Sequence, residues 1–202
     1  MKRKLLFATF LLVFFNSIFA QQFPVSIIPR VKAPAPVIFY NYADDASLNS
    51  PLTVQIFLND LTIPSRQIRL KTYFEGGNIR FSSKDFVVGA QDLFLEGGIP
   101  LTLRNTELAP YYRLENIQGI SSSVYGQTIP EGSYNFCFEV YDYISGAKLS
   151  AKKCATVFIF KNEPPILNIP LTGSNIEHTD FENIIFQWTP RHINVSNVEY
   201  EF

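Results

Sequence analysis

The chain has 202 residues, enough for one good-sized domain or for one domain and part of another. Its 19 Phe and 10 Tyr favour β-strands, and its charged fraction of 17% excludes a disordered acidic or basic tail. The net charge is −1, and without the three basic residues at positions 2–4 the chain has 14 basic and 18 acidic residues. A mildly acidic chain is not attracted to a phosphate backbone, which excludes nucleic acid as a partner.

Residues 1–20 predict a secretory signal peptide. Lys2, Arg3 and Lys4 form a basic region, residues 5–15 are almost wholly apolar, and Ala20 ends the segment before two glutamines. The alternative is an uncleaved membrane anchor, but the apolar run is shorter than the roughly 20 residues that span a membrane. We therefore expect cleavage after Ala20, and a mature chain without a transmembrane segment in the periplasm, at the outer membrane or on the cell surface.

Residues 21–35 are rich in proline, which removes backbone donors and predicts an extended lead-in. Residues 36–161 predict an all-β, immunoglobulin-like β-sandwich, because apolar and polar side chains alternate along 52–58 and 67–74. Gly, Pro and Asn turns separate these two strands from further candidate strands. The further candidates are 79–81, 94–95, 101–103, 111–114, 133–143 and 149–160.

Residues 162–202 predict an incomplete second module. Pro164 and Pro165 break the strand pattern, and short strands are expected at 166–169, 183–188 and 198–202. Three strands cannot close a sandwich core, so we expect that either the chain is cut or a partner completes the fold. The sequence from Trp188 to Pro190, followed by Tyr200 in a strand, resembles strands B and C of a fibronectin type III domain.

Two longer segments are similar to one family. Residues 131–142, EGSYNFCFEVYD, and 186–192, FQWTPRH, resemble the N-terminal portion of the large TANFOR, or fibronectin type III, proteins of the Bacteroidota. Those proteins are long, exported, multi-domain envelope proteins. The resemblance implies a Gram-negative envelope and a neighbourhood that includes type IX secretion and gliding systems, and it implies no catalytic residues. The chain departs from that family by being shorter.

No residue pattern in the chain predicts catalysis or a cofactor. His178 and His192 lack the Cys or acidic partners that a zinc site requires at close spacing. The serines at 121–123 lack a nucleophile-elbow motif and a nearby base, which favours a polar loop. The pairs 44–45 and 59–60 offer oxygen ligands for calcium, or are solvated turns. We therefore expect a protein that is not an enzyme and carries no cofactor or metal.

Cys137 and Cys154 are the only cysteines, and in an exported protein they predict a disulfide. If Ser145 and Gly146 form a two-residue hairpin turn, the resulting register places the two cysteines directly opposite each other. The same register places Glu139 opposite Lys152 as a pair of opposite charges. The alternative is two free thiols, which a loop one residue longer would produce.

Tyr141 and Tyr143 lie on the strand face opposite Phe136 and Phe138, and they predict an interaction surface because aromatic residues are enriched at interfaces. The alternative is a second buried sheet face, or contact with the next module. The expected function is that of a non-catalytic envelope protein whose modules contact other β-sandwich modules or envelope proteins. The other hypotheses are a subunit of a type IX secretion or gliding machine, and the accessory N-terminal region of a larger secreted enzyme.

Overall fold

The computed structural model describes residues 23–46, 50–161, 165–171, 173–175, 185–189 and 191. The predicted signal peptide, His178, His192 and the strand expected at 198–202 lie outside these residues. Among the described residues, no helix is long and apolar enough to cross a membrane.

The described residues form an all-β sandwich followed by a short hairpin. The sandwich strands are β1 (Val25–Val31), β2 (Leu52–Leu58), β3 (Arg66–Gly76), β4 (Ile79–Ser83), β5 (Leu93–Leu95), β6 (Leu101–Leu103), β7 (Ile117–Gln118), β8 (Gly132–Asp142) and β9 (Lys153–Ile159). A small sheet has the order β1-β2-β6, and a large sheet has the order β7-β4-β3-β8-β9 with β5 also paired to β3. Every pairing between these strands is antiparallel. The sandwich prediction is therefore confirmed.

Alternation of side chains builds the core between the two sheets. Along β2, every second residue from Leu52 to Leu58 is buried, and β3 buries Ile68, Leu70 and Phe74 in the same way. The middle of the core is aromatic. Phe74 makes an edge contact with Phe136 of β8, with ring centroids 5.0 Å apart. Such contacts add to the free energy gained by burying the rings themselves.

Several of the connections between strands contain short helices. They are α1 (Asn105–Leu108), α2 (Ser122–Tyr125) and the 3-10 helices Phe39–Tyr42, Ala109–Tyr112 and Leu114–Asn116. Phe39, from the first 3-10 helix, is buried in the core, and its ring centroid lies 5.1 Å from that of Phe74. The helices thus supply aromatic side chains that the small sheet alone does not provide.

The expected start of the sandwich at residue 36 is corrected by the position of β1. Residues Val25–Val31 pair with β2 along its whole length, from Val25 opposite Leu58 to Val31 opposite Leu52. The segment is extended, as its prolines indicated, but it belongs to the small sheet. Pro29 is tolerated there because β1 lies at the sheet edge, where a missing backbone donor removes no ladder hydrogen bond.

The strand predicted at 111–114 is wrong. This segment lies in the 3-10 helices Ala109–Tyr112 and Leu114–Asn116, where Tyr111 and Tyr112 are both buried. Consecutive buried residues do not fit the alternation of a strand. The side chain of Asn116 stabilises the turn by donating to the carbonyl oxygens of Pro110 and Val88, each at 2.8 Å.

The segment predicted to form a second module contains β10 (Ile166–Ile169) and β11 (Gln187–Thr189), which pair antiparallel. The strand expected at 166–169 is thereby confirmed. Of the strand expected at 183–188, residues 183–184 lie outside the described residues, and the described strand begins only at Gln187. Among the described residues, the buried hydrophobic core extends only from Val25 to Ile159, so β10 and β11 contribute nothing to it.

Candidate interaction surface

Cys137 of β8 and Cys154 of β9 form a disulfide, as predicted. The two sulfur atoms are bonded, and the Cα atoms are 4.0 Å apart across the strand pair. The cysteines are direct partners in the β8–β9 ladder, whose register runs without interruption from Gly132 opposite Ile159 to Phe138 opposite Lys153. The disulfide lies on the face of the large sheet that points away from the core.

The predicted two-residue turn is wrong. The backbone N–H of Asp142 donates to the carbonyl of Ala147 at 2.8 Å, so the loop is the four residues 143–146. The Asp142 carboxylate accepts hydrogen bonds from the N–H and the hydroxyl of Ser145, both at 2.8 Å, and closes the loop. Gly146 has a φ of +69°, a conformation that glycine adopts without strain.

Extra residues in the returning strand compensate for the longer loop. The N–H of Leu149 donates to the carbonyl of Val140 at 2.8 Å, whereas further along the ladder Phe138 faces Lys153. Residues 150–152 therefore form a bulge, and the Ser150 hydroxyl accepts the N–H of Val140 at 2.8 Å in place of a backbone carbonyl. The register shift caused by the longer loop and the opposite shift caused by the bulge cancel, so the two cysteines are still paired directly across the strands.

The predicted pairing of Glu139 with Lys152 is wrong for the same reason. Lys148 replaces Lys152, and its Nζ donates to Oε1 of Glu139 at 2.6 Å. Lys152 instead contacts Glu75 at 2.7 Å and lies 4.2 Å from the centroid of the Tyr73 ring. Lys148 is paired with Tyr141 across the hairpin and reaches Glu139 diagonally, whereas the bulge displaces Lys152 from the position opposite Glu139.

Tyr141 belongs to a hydrogen-bonded cluster around Glu139. The hydroxyls of Tyr141 and Tyr73 donate to Oε2 of Glu139 at 2.8 and 2.5 Å. Burial raises the pKa of Glu139, but the hydrogen bonds from Lys148, Tyr73 and Tyr141 outweigh it and lower the pKa below the ordinary value. Burial, together with the bond to Glu139, raises the pKa of Tyr141. The Tyr141 hydroxyl thus stabilises the buried Glu139 carboxylate within the sheet.

Tyr143 is 42% exposed at the end of β8 and begins an apolar surface. Its N–H donates to the carbonyl of Gln67 at 3.2 Å, and Phe94 of β5 faces Gln67 from the other side. Phe94 is 51% exposed, and Phe86, in the loop after β4, is 72% exposed. We call Phe86, Phe94 and Tyr143 the aromatic patch.

Two grooves beside the patch share Arg69, Leu70 and Asp85. The first, of about 210 Å³, is also lined by Phe86 and Tyr143, and the second, of about 280 Å³, by Lys71, Tyr141 and Gly146. The two predicted surface tyrosines therefore lie in adjoining grooves. Arg69 and Phe86 were not singled out from the sequence. Alternation placed Arg69 on the polar face of β3, but Phe86 lies in a loop that has no periodic pattern.

The guanidinium of Arg69 stands over the Phe86 ring, 5.1 Å from its centroid, and Lys71 pairs with Asp85 at 2.6 Å. The hydrogen bond and charge of Lys71 lower the pKa of the Asp85 carboxyl. Among the described residues, Arg69 Nε is buried without a hydrogen-bond partner.

The acidic and serine motifs have local roles in turns. Asp44 accepts the N–H of Ala46 at 3.0 Å, and Asp60 accepts the N–H and hydroxyl of Thr62 at 2.9 and 2.7 Å. Ser121 caps α2 by accepting the N–H of Val124 at 3.4 Å. In the part of the chain that the structure describes, no group of three or more His, Cys, Asp or Glu side chains is placed to hold a metal ion.

No family model, no curated protein and no solved structure matches this chain.

Proposed function

We propose that the chain is a non-catalytic, exported envelope protein whose β-sandwich modules bind other proteins. The observation that carries this proposal is the aromatic patch formed by the outer face of the large sheet and the loop after β4. Clustered exposed aromatic side chains beside grooves are typical of protein interfaces, whereas single exposed apolar residues are ordinary.

Export is supported by two independent features. The pattern of residues 1–20 favours a signal peptide, and the Cys137–Cys154 disulfide is typical of compartments outside the cytoplasm. The antiparallel pair β10–β11 after the sandwich is compatible with a fibronectin type III-like second module, as Trp188 in β11 indicated. We interpret the chain as a string of modules that places the aromatic patch at the envelope.

Position-specific photo-crosslinking in the native cells tests this function. A photoreactive amino acid replaces Phe94 or Tyr143 in the full chain, and the control replaces Tyr40, which is 59% exposed and packs against Tyr125 instead. We expect discrete protein adducts from positions 94 and 143 and none from position 40. Absence of adducts at 94 and 143, or equal adducts at all three positions, would refute the proposal.

A further inference from the structure

Arg69 differs from the other cations at its end of the large sheet. Those cations have carboxylate partners: Arg66 with Asp142 at 3.0 Å, Lys71 with Asp85 at 2.6 Å, and Lys148 with Glu139 at 2.6 Å. Among the described residues, the Arg69 guanidinium forms no ion pair and donates no side-chain hydrogen bond, and its charge only adds to that of Lys71 in lowering the pKa of Asp85. A guanidinium has five donors in a planar fork, and leaving them unused is costly unless water or a ligand accepts them.

The position of Arg69 is set by its neighbours. The Phe86 ring covers one face of the guanidinium, and a Cβ added to Gly146 would lie only 3.2 Å from one terminal nitrogen. The small residue at 146 therefore leaves room for the guanidinium to approach the hairpin loop. An arginine held in this way loses little side-chain entropy when it binds a ligand, which increases affinity.

The charges around Arg69 restrict the ligand to one anion. Asp85 and Asp92 line the same groove, so a ligand with many negative charges would be repelled. Lys71 is already paired with Asp85, which leaves no cluster of free cations of the kind that a polyanion requires. One unpaired guanidinium beside two carboxylates therefore suits a ligand with a single carboxylate, which the planar fork of Arg69 can bind.

We propose that the two grooves around Arg69 bind one Asp or Glu side chain of an extended segment in a protein partner, with flanking aromatic side chains on Phe86 and Tyr143. This inference rests on the proposed function and specifies the chemistry of the partner. Arginine and aromatic residues together dominate the binding energy of many protein interfaces, which favours a protein segment over a sugar or a lipid.

Two matched peptides test the inference against the full, disulfide-bonded chain. The probes are acetyl-Tyr-Glu-Tyr-amide and acetyl-Tyr-Gln-Tyr-amide, titrated while NMR follows the backbone amides. We expect the glutamate peptide to shift the signals of Arg69 and Gly146, and to bind about tenfold more tightly than the glutamine peptide, because a charged hydrogen bond is lost in the latter.

Three variants locate the effect. Arg69→Gln should abolish the preference for glutamate. The control variant Arg80→Gln removes an exposed cation from β4 in the same sheet and should leave the preference intact. Phe86→Ala should weaken both peptides alike, and its exposure makes unfolding of the variant unexpected. Equal binding of the two peptides, no binding of the glutamate peptide, or a preference that survives Arg69→Gln would overturn the inference. Crosslinks at positions 94 and 143 would then still support the proposed function with another ligand chemistry.

Discussion

At the scale of single residues, carboxylates organise the outer face of the large sheet. Glu139 is only 7% exposed at its side chain, yet three donors compensate for its burial. Asp142 has a similar role in the hairpin loop. Hydrogen bonds from the backbone and side chain of Ser145, followed by the contact with Arg66, lower its pKa from 3.8 to about 2. Local donors, rather than burial, thus dominate its ionisation.

This shift predicts how stability depends on pH. Because the folded-state pKa of Asp142 lies below the unfolded value, its contribution is complete above about pH 4 and is lost as the pH falls towards 2. The free energy of unfolding, measured with urea between pH 6 and pH 2, should therefore fall less steeply for Asp142→Asn than for the wild type. Ser145→Ala should give an intermediate slope, since the backbone donor remains. Parallel pH profiles for the wild type and Asp142→Asn would contradict this assignment.

At the scale of elements, the β8–β9 hairpin combines a disulfide with an irregular turn. The bond closes a loop with a sequence separation of 17 residues. Replacing both cysteines by alanine should lower the free energy of unfolding by about 3 kcal/mol, because the unfolded chain regains the entropy of the open loop. Urea unfolding of oxidised, reduced and Cys137→Ala/Cys154→Ala protein provides the measurement. The last two should agree, and a loss below about 1 kcal/mol would mean that the hairpin needs no covalent support.

The strands that could be predicted are those whose signal is local. Alternation in 52–58 identified β2 with its bounds, since one face of the strand is buried along its whole length. The turn at the β8–β9 hairpin could not be predicted in this way, because the competition between Asp142 capping and a two-residue turn depends on side-chain geometry. The grooves depend on Phe86 reaching Arg69 from a loop 17 positions along the chain, a contact that periodicity does not encode.

At the scale of the whole molecule, the described core of the sandwich includes no residue of β10 or β11. Among the described residues, the hydrophobic core ends at Ile159, while Ile166 and Ile169 of β10 are about half exposed. A fragment of residues 21–161 should therefore unfold cooperatively, with a Tm within about 4 °C of the same transition in the full chain, because that shift corresponds to about 1 kcal/mol or less. Differential scanning calorimetry compares the two. A fragment of residues 162–202 should give a poorly dispersed NMR spectrum, and a dispersed one would place the module boundary elsewhere.

The bulge at residues 150–152 has a consequence for how the hairpin can vary. It lies between the disulfide and the loop 143–146, and it already absorbs a mismatch in strand length. Insertions or deletions in the loop can therefore be accommodated at the bulge, while the ladder beyond Lys153 stays aligned by the disulfide. Tyr143 and Gly146, which line the grooves, lie on a segment whose length can change while the ladder beyond Lys153 keeps its register. The length of the hairpin loop can thus vary without shifting the register of the sheet, as in the variable loops of binding proteins.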